Sequence, residues 1–311
     1  DPRISEKTRI RIEKKAEEMG YRRDASLEIL SAYRWPEYNR MSHANIAVIQ
    51  PRKPPTAGSF QEFVNAAESR AKSIGFSLSA FYVNDFSSHN HLARVLKARG
   101  IRGLMIYPFD QRHDWSGFPW DEFCAVTCQG GFGVPPLHVI REDHFADVLH
   151  VHARLWEEGF RRIGLVPQYN AWSTTDEQRV AACHFIHRHL VPSKHRIPVL
   201  PLAYPVKKPI LSWIERHDPE VIIATSAGMY YYLKENGYRI PEDLGVAILE
   251  VNQEEHLHIS GIAKTYELLG SRAVDFLLDM MRRNDSGIPV TQETLSLRST
   301  WLPGESLGTP R

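Results

Sequence analysis

Four residues that could hold a metal or a proton crowd one segment: Cys183, His184, His187 and His189. His184 and His187, three apart, could share one face of a helix. Zinc asks for three or four ligands, and no carboxylate stands at matching spacing, so no metal site is expected. Cys124 and Cys128 lie four apart, the wrong spacing for a CxxC pair, and read as buried reduced thiols. Gly130-Gly131-Phe132-Gly133 has no helix after it to present amides to a phosphate, so it reads as a loop. A GxxxxGK[ST] loop, a GxSxG elbow and an HExxH pair are all absent. No catalytic constellation emerges, and neither an enzyme nor a cofactor is expected.

The elements around these residues alternate. Ile46-Ala47-Val48-Ile49 is a short apolar run, as expected of a strand covered on both faces. Phe60, Phe63, Val64, Ala67, Ala71 and Ile74 recur at helical spacing, and Gly75 ends that helix. Strands are expected at 76–83, 100–107, 123–127 and 137–140, with a helix at 89–99. The second half repeats the rhythm. Helices are expected near 143–158, 175–190, 209–217, 229–236 and 266–283. Strands are expected at 163–166, 197–202, 221–224, 244–249 and 293–297. Alternating strands and helices imply an α/β fold of two doubly wound parallel-sheet lobes. Ligands bind such sheets at the carboxyl ends of the strands.

The start of the chain differs. Ser5 suits an N-cap, Ile12, Ala16 and Met19 make one apolar stripe, and Gly20 suits a helix stop. Residues 1–23 hold eight basic and five acidic side chains, a local charge of +3. A solvated amphipathic helix is the plain reading. Residues 24–33 are helix-prone, and Trp35-Pro36 opens a linker over 34–43.

Composition narrows the class. The 311 residues suit about two domains of roughly 150 residues. Lys and Arg total 38 against 37 Asp and Glu, which excludes a globally basic nucleic-acid coat but not a local patch. No apolar run approaches the ~20 residues of a membrane span, and no basic-apolar signal segment opens the chain. Three cysteines exclude a disulfide scaffold and fit a reducing cytoplasm.

Several segments then resemble one family in order. Ile4–Ile12 with Ala16-Glu17-Glu18-Met19-Gly20-Tyr21-Arg22 resembles the third headpiece helix of the lactose-repressor/galactose-repressor (LacI/GalR) regulators, VSxxTRxRVxxxAxxLGYRPN. Ala44–Pro51 resembles the first strand of their effector domain, and Gly100–Ile106 the "VDGLIL" strand. Gly159–Gly164 resembles "GHRRIG", Ile240–Leu244 resembles "VPEDV", and Leu269-Gly270 with Ala273 resembles the last helix.

The resemblance implies a cytoplasmic, homodimeric, DNA-binding transcriptional regulator. A small polar effector, a sugar or sugar derivative, would control its operator affinity. It implies a headpiece, a hinge helix and a body like periplasmic sugar-binding proteins. The family's first two helices, a helix-turn-helix, would lie upstream of Asp1. Residues 1–43 are then headpiece remnant, hinge helix and linker. Residues 44–142 with 266–290 form one lobe, and 143–265 with 291–311 the other, with crossings near 140–143, 262–266 and 288–293. A solute-binding protein without DNA binding is the alternative.

Residue by residue, Leu30 falls where the hinge leucine wedges into the minor groove, or else packs on the body. Arg22 belongs to the DNA-contacting set. Arg179 matches the arginine that holds effector oxygens, its alternative being a surface ion pair. Glu250 stands where the family has a pocket aspartate, and Tyr204 near an aromatic that stacks on the ligand. Asp143 reads as a helix cap. The family's Asn-Asp pair is replaced by Thr225-Ser226-Ala227-Gly228.

Overall fold

The computed structural model describes residues 8, 10, 11, 14, 15, 18, 44–51, 59–107, 113–130, 135–169, 174–203, 208–252 and 256–311. The chain divides at Ala44 into two units. In the first, the six described residues before Ala44 are helical, and Lys15 pairs with Glu18 at 3.0 Å on an exposed face. Arg22 and Leu30 lie outside the described residues, as does Tyr204.

The second unit carries two sheets. The first has the order β12-β5-β4-β3-β1-β2. Its strands are β1 (Ala44–Gln50), β2 (Phe76–Tyr82), β3 (Gly103–Ile106), β4 (Cys124–Cys128), β5 (His138–Glu142) and β12 (Thr294–Leu297). Side chains alternate across the pleat. Ile46 and Val48 therefore meet α1 (Ser59–Ser73) and α7 (Tyr266–Arg283), while Ala47 and Ile49 face α2 (His89–Ala98) and the Trp115–Phe123 segment. The interior strands are buried on both faces, which is why they read as unbroken apolar runs.

The second sheet has the order β13-β11-β10-β9-β6. It contains β6 (Ile163–Val166), β9 (Val221–Ala224), β10 (Gly245–Val251), β11 (Ser260–Ala263) and the antiparallel β13 (Trp301–Leu302). One face is covered by α3 (His144–Glu157) and α4 (Thr174–Phe185), the other by α5 (Pro209–His217) and α6 (Ala227–Glu235). A two-residue pair, β7 (Gln168–Tyr169) with β8 (Leu202–Ala203), sits past the end of β6.

Three sequence expectations change here. Residues 197–201 form no strand; the Leu200 amide makes a single hydrogen bond to the Leu165 carbonyl of β6, and only Leu202–Ala203 forms a ladder, with β7. The helix expected over 175–190 leaves α-geometry at Phe185, and Ile186–Leu190 forms a π-type turn. Thr294–Leu297 pairs with β5 in the first sheet, not the second. The third crossing thus follows Leu297 and reaches β13 at Trp301, beyond the 288–293 expected.

Candidate functional site

The crossings are sewn together by buried polar groups. Glu142 ends β5. Its Oε2 accepts from Gln129 Nε2 at 2.6 Å, and its Oε1 accepts from the Thr265 amide at 3.2 Å and from the Thr265 hydroxyl. Gln129 Oε1 in turn accepts the Glu142 amide at 3.1 Å. Gln129 holds φ at 67°, a left-handed conformation that a side chain of this kind adopts only when its surroundings enforce it. Asp143 caps α3, its Oδ1 accepting the Ala146 amide at 3.0 Å, while its own amide donates to the Leu297 carbonyl at 2.8 Å. Asp147, one turn on, takes the Ser299 amide at 3.1 Å and the Ser299 hydroxyl at 2.9 Å. Its carboxyl is pushed up by burial, and the two Ser299 hydrogen bonds work against that shift.

Beside this seam lies Arg179, on the second turn of α4 and only 3% exposed. A buried guanidinium needs partners, and it has three. Nη2 donates to Glu250 Oε1 at 2.5 Å and to His144 Nδ1 at 3.2 Å, and Nη1 donates to Asp176 Oδ1 at 3.2 Å. Burial alone would lower the Arg179 pKa, but Glu250, Tyr266, Asp176 and Glu142 outweigh it and hold the charge in place. Burial, then Glu250 and Glu142, push the Tyr266 phenol well above its ordinary value.

His144 is the neutral member. Burial, then Arg179 and Arg141, push its pKa down to about 2. Because a guanidinium only donates, Nδ1 accepts and the ring proton sits on Nε2. That Nε2 has no hydrogen-bond partner, and Glu142 Oε2 stands 3.6 Å away.

A second polar group closes the carboxyl end of β6. The Gln168 amide donates to Thr225 Oγ1 at 3.0 Å, and Ser226 Oγ donates to Gln168 Oε1 at 3.3 Å. Thr225 and Ser226 thus hold a glutamine.

Of the residues singled out from sequence, the structure brings Arg179 and Glu250 into direct contact and places Asp143 at the seam as the cap of α3. The surface ion pair considered for Arg179 is instead a buried one. Sequence reasoning missed Glu142, His144, Gln168, Asp176 and Tyr266. For Asp176 the three-residue spacing to Arg179 was an available signal. For the others only the strand ends hinted at a role. Among the described residues, no group of three or more His, Cys, Asp or Glu could hold a metal ion.

Comparison with known proteins decides the family. The model of the periplasmic binding protein-like domain matches residues 152–307, just over half of the chain. The chain belongs to this family. No curated protein matches its sequence significantly. Solved structures of this periplasmic-binding-protein-like architecture match it throughout. A transcriptional regulator CelR in complex with cellobiose is 17% identical, with a TM-score of 0.63, covering 98% of this chain and 92% of its own. The lac repressor dimer bound to operator and the anti-inducer ONPF is 17% identical, with a TM-score of 0.62, covering 97% and 91%. A LacI family regulator from Enterococcus faecium with bound ribose is 17% identical, with a TM-score of 0.60, covering 86% and 98%. These likenesses show the shared two-lobed fold. Among the described residues no helix is long and apolar enough to cross a membrane.

Proposed function

We propose that this chain is a cytoplasmic DNA-binding transcriptional regulator of the LacI/GalR type, with a homodimeric body. An uncharged sugar or sugar derivative, bound between the two lobes, controls its operator affinity. The observation that carries this reading is the Arg179–Glu250 pair, 2.5 Å apart at the carboxyl ends of the second sheet. A fork of N–H donors beside a carboxylate acceptor suits hydroxyls that both give and receive hydrogen bonds. Structural relatives carry cellobiose, ribose, D-xylulofuranose or glucose, and one is bound to operator DNA. In the same reading Tyr204 covers an apolar face of the ligand, and Arg22 and Leu30 serve DNA contact. The chemistry needs no catalytic step.

A thermal-shift titration with D-glucose, D-ribose and cellobiose tests it, on the wild type and on Arg179→Gln and Glu250→Gln. Each variant's shift is read against its own ligand-free Tm, because Arg179 is also structural. The reading requires a sugar-induced shift that both variants reduce. A shift that neither variant changes places the ligand elsewhere.

A further inference from the structure

The connections that leave β2 and β3 meet at a surface cleft of about 500 Å³ on the first lobe, lined in part by Asn84, Ser87, His89, Asn90, His113 and Ser116. Two of these face each other: His89 Nε2 stands 3.0 Å from His113 Nε2. Neither residue belongs to the Arg179 site, and the effector reading uses neither.

Both rings are held from behind. His89 is the first residue of α2, and Ser88 fixes that helix start, its Oγ accepting the His91 amide at 3.2 Å. The His89 ring stacks on Trp115, with centroids 5.3 Å and planes 20° apart, and His113 meets the same indole edge-on at 4.9 Å. Trp115 is itself buried. His89 Nδ1 stands 3.0 Å from the Ser116 carbonyl oxygen, which only accepts. The ring proton of a neutral His89 therefore sits on Nδ1, and Nε2 carries a lone pair. Metal-binding histidines are prepared in this way, the other nitrogen donating to a carbonyl or carboxylate that fixes tautomer and orientation.

The spacing suits one shared ion. Two imidazole nitrogens bound at about 2.0–2.1 Å to one metal lie about 2.9 Å apart at a right angle and about 3.3 Å apart at the tetrahedral angle. The observed 3.0 Å falls inside that interval, so the rings have only to pivot toward an ion beside them. The proton now held between the two nitrogens then moves to His113 Nδ1 by exchange with solvent. Asp114, whose carboxylate accepts the Ser116 amide at 2.9 Å, brings a negative charge next to the pair. Among the described residues no third His, Cys, Asp or Glu completes the set, so water in the cleft fills the remaining positions. Imidazole nitrogen selects zinc, copper or nickel over magnesium and calcium, which prefer oxygen.

We propose that His89 and His113 form a two-histidine site for a divalent transition metal, which ties the start of α2 to the connection after β3. The site stands on the geometry of the first lobe alone and does not depend on what binds at Arg179.

The test is calorimetric titration of the chelator-treated 311-residue chain with zinc chloride at neutral pH, with magnesium chloride as the oxygen-seeking control. The variants are His89→Gln, His113→Gln and the double variant His184→Gln/His187→Gln, each checked for folding by circular dichroism. A zinc equivalent is expected whose affinity falls at least tenfold in each single variant, since even outer partners of a ligand are worth about ten- to a hundredfold. The double variant and Arg179→Gln should leave that equivalent unchanged, and magnesium should not compete for it. Should a single variant fail to fold, the wild type decides: zinc should protect His89 and His113 together from diethyl pyrocarbonate, read by peptide mass mapping. No zinc binding to the folded chain, binding that either single variant leaves intact, or binding lost only with His184 and His187 overturns the proposal. Equal binding of magnesium, or zinc that leaves either ring unprotected, overturns it as well.

Discussion

The Glu142 carboxylate, at the end of the first lobe's β5, accepts both the amide and the hydroxyl of Thr265, at the head of α7. Two of the three crossings between lobes are therefore joined through one buried side chain. Lobes that open and close must do so about this joint, with Asp143 and Asp147 holding the third crossing beside it through Leu297 and Ser299.

Thr265→Val removes one hydrogen bond to that charge and keeps the shape. Hydrogen bonds to charged groups contribute about 1.5–3 kcal/mol. A loss of that size is expected in urea unfolding of the body. An unchanged midpoint would show that water replaces the hydroxyl.

Gly270 sits on α7 where that helix crosses α1. A Cβ there would run into the Phe63 carbonyl and stand 3.1 Å from the Ala67 amide nitrogen. These are backbone atoms, which cannot swing aside. Gly270→Ala is expected to destabilise by about 1–3 kcal/mol, more than the roughly 0.5–1 kcal/mol it gains as a better helix former. Denaturant titration decides the sign; a stabilised variant would mean that the two helices separate easily.

The buried histidines predict acid sensitivity. Burial holds His152 down at about 4, and burial with Arg179 and Arg141 holds His144 at about 2. In the unfolded chain both titrate near 6.5. Protons therefore bind the unfolded chain more tightly. The stability these groups contribute is fully present above about pH 6.5 and is lost as pH falls toward the folded values. From pH 7 to pH 5 each should cost about 2 kcal/mol. His152→Phe, which keeps a ring stacked on Trp156, should flatten the slope of stability against pH over that range. A slope equal to that of the wild type would show that His152 titrates normally.

All three cysteines are buried and free. Burial raises the thiol pKa of Cys124 and Cys128, and pushes Cys183 up to about 12. Thiolates do the reacting. Ellman's reagent should therefore titrate almost no thiol in the native protein and three in guanidinium chloride. Rapid native labelling would show that one of the lobes opens readily.

A homodimeric body predicts a species of twice the 35.7 kDa chain mass in light scattering at micromolar concentration. A single 35.7 kDa species would count against the assembly.

The amino-acid sequence by itself determined where strands and helices lie along most of the body. The reason is local. A covered parallel strand must be apolar throughout, as in Leu104-Met105-Ile106, and a covering helix must be apolar every three or four residues, as in Phe63, Ala67 and Ala71. The Asp143 cap was legible for the same reason, since its partner Ala146 is three residues away. Ser260–Ala263 escaped notice because four residues with a glycine carry too little pattern to mark a strand. Tertiary structure alone decided which sheet receives Thr294–Leu297. That depends on an open edge beside β5, which no local pattern encodes. It alone decided the charge state of the site as well. Arg179 and Glu250 are 71 residues apart, and His144 lies 35 residues from Arg179. Their pairing follows from the packing of α3 and α4 against the end of β10, and only burial there converts a surface-type arginine into a fully partnered one.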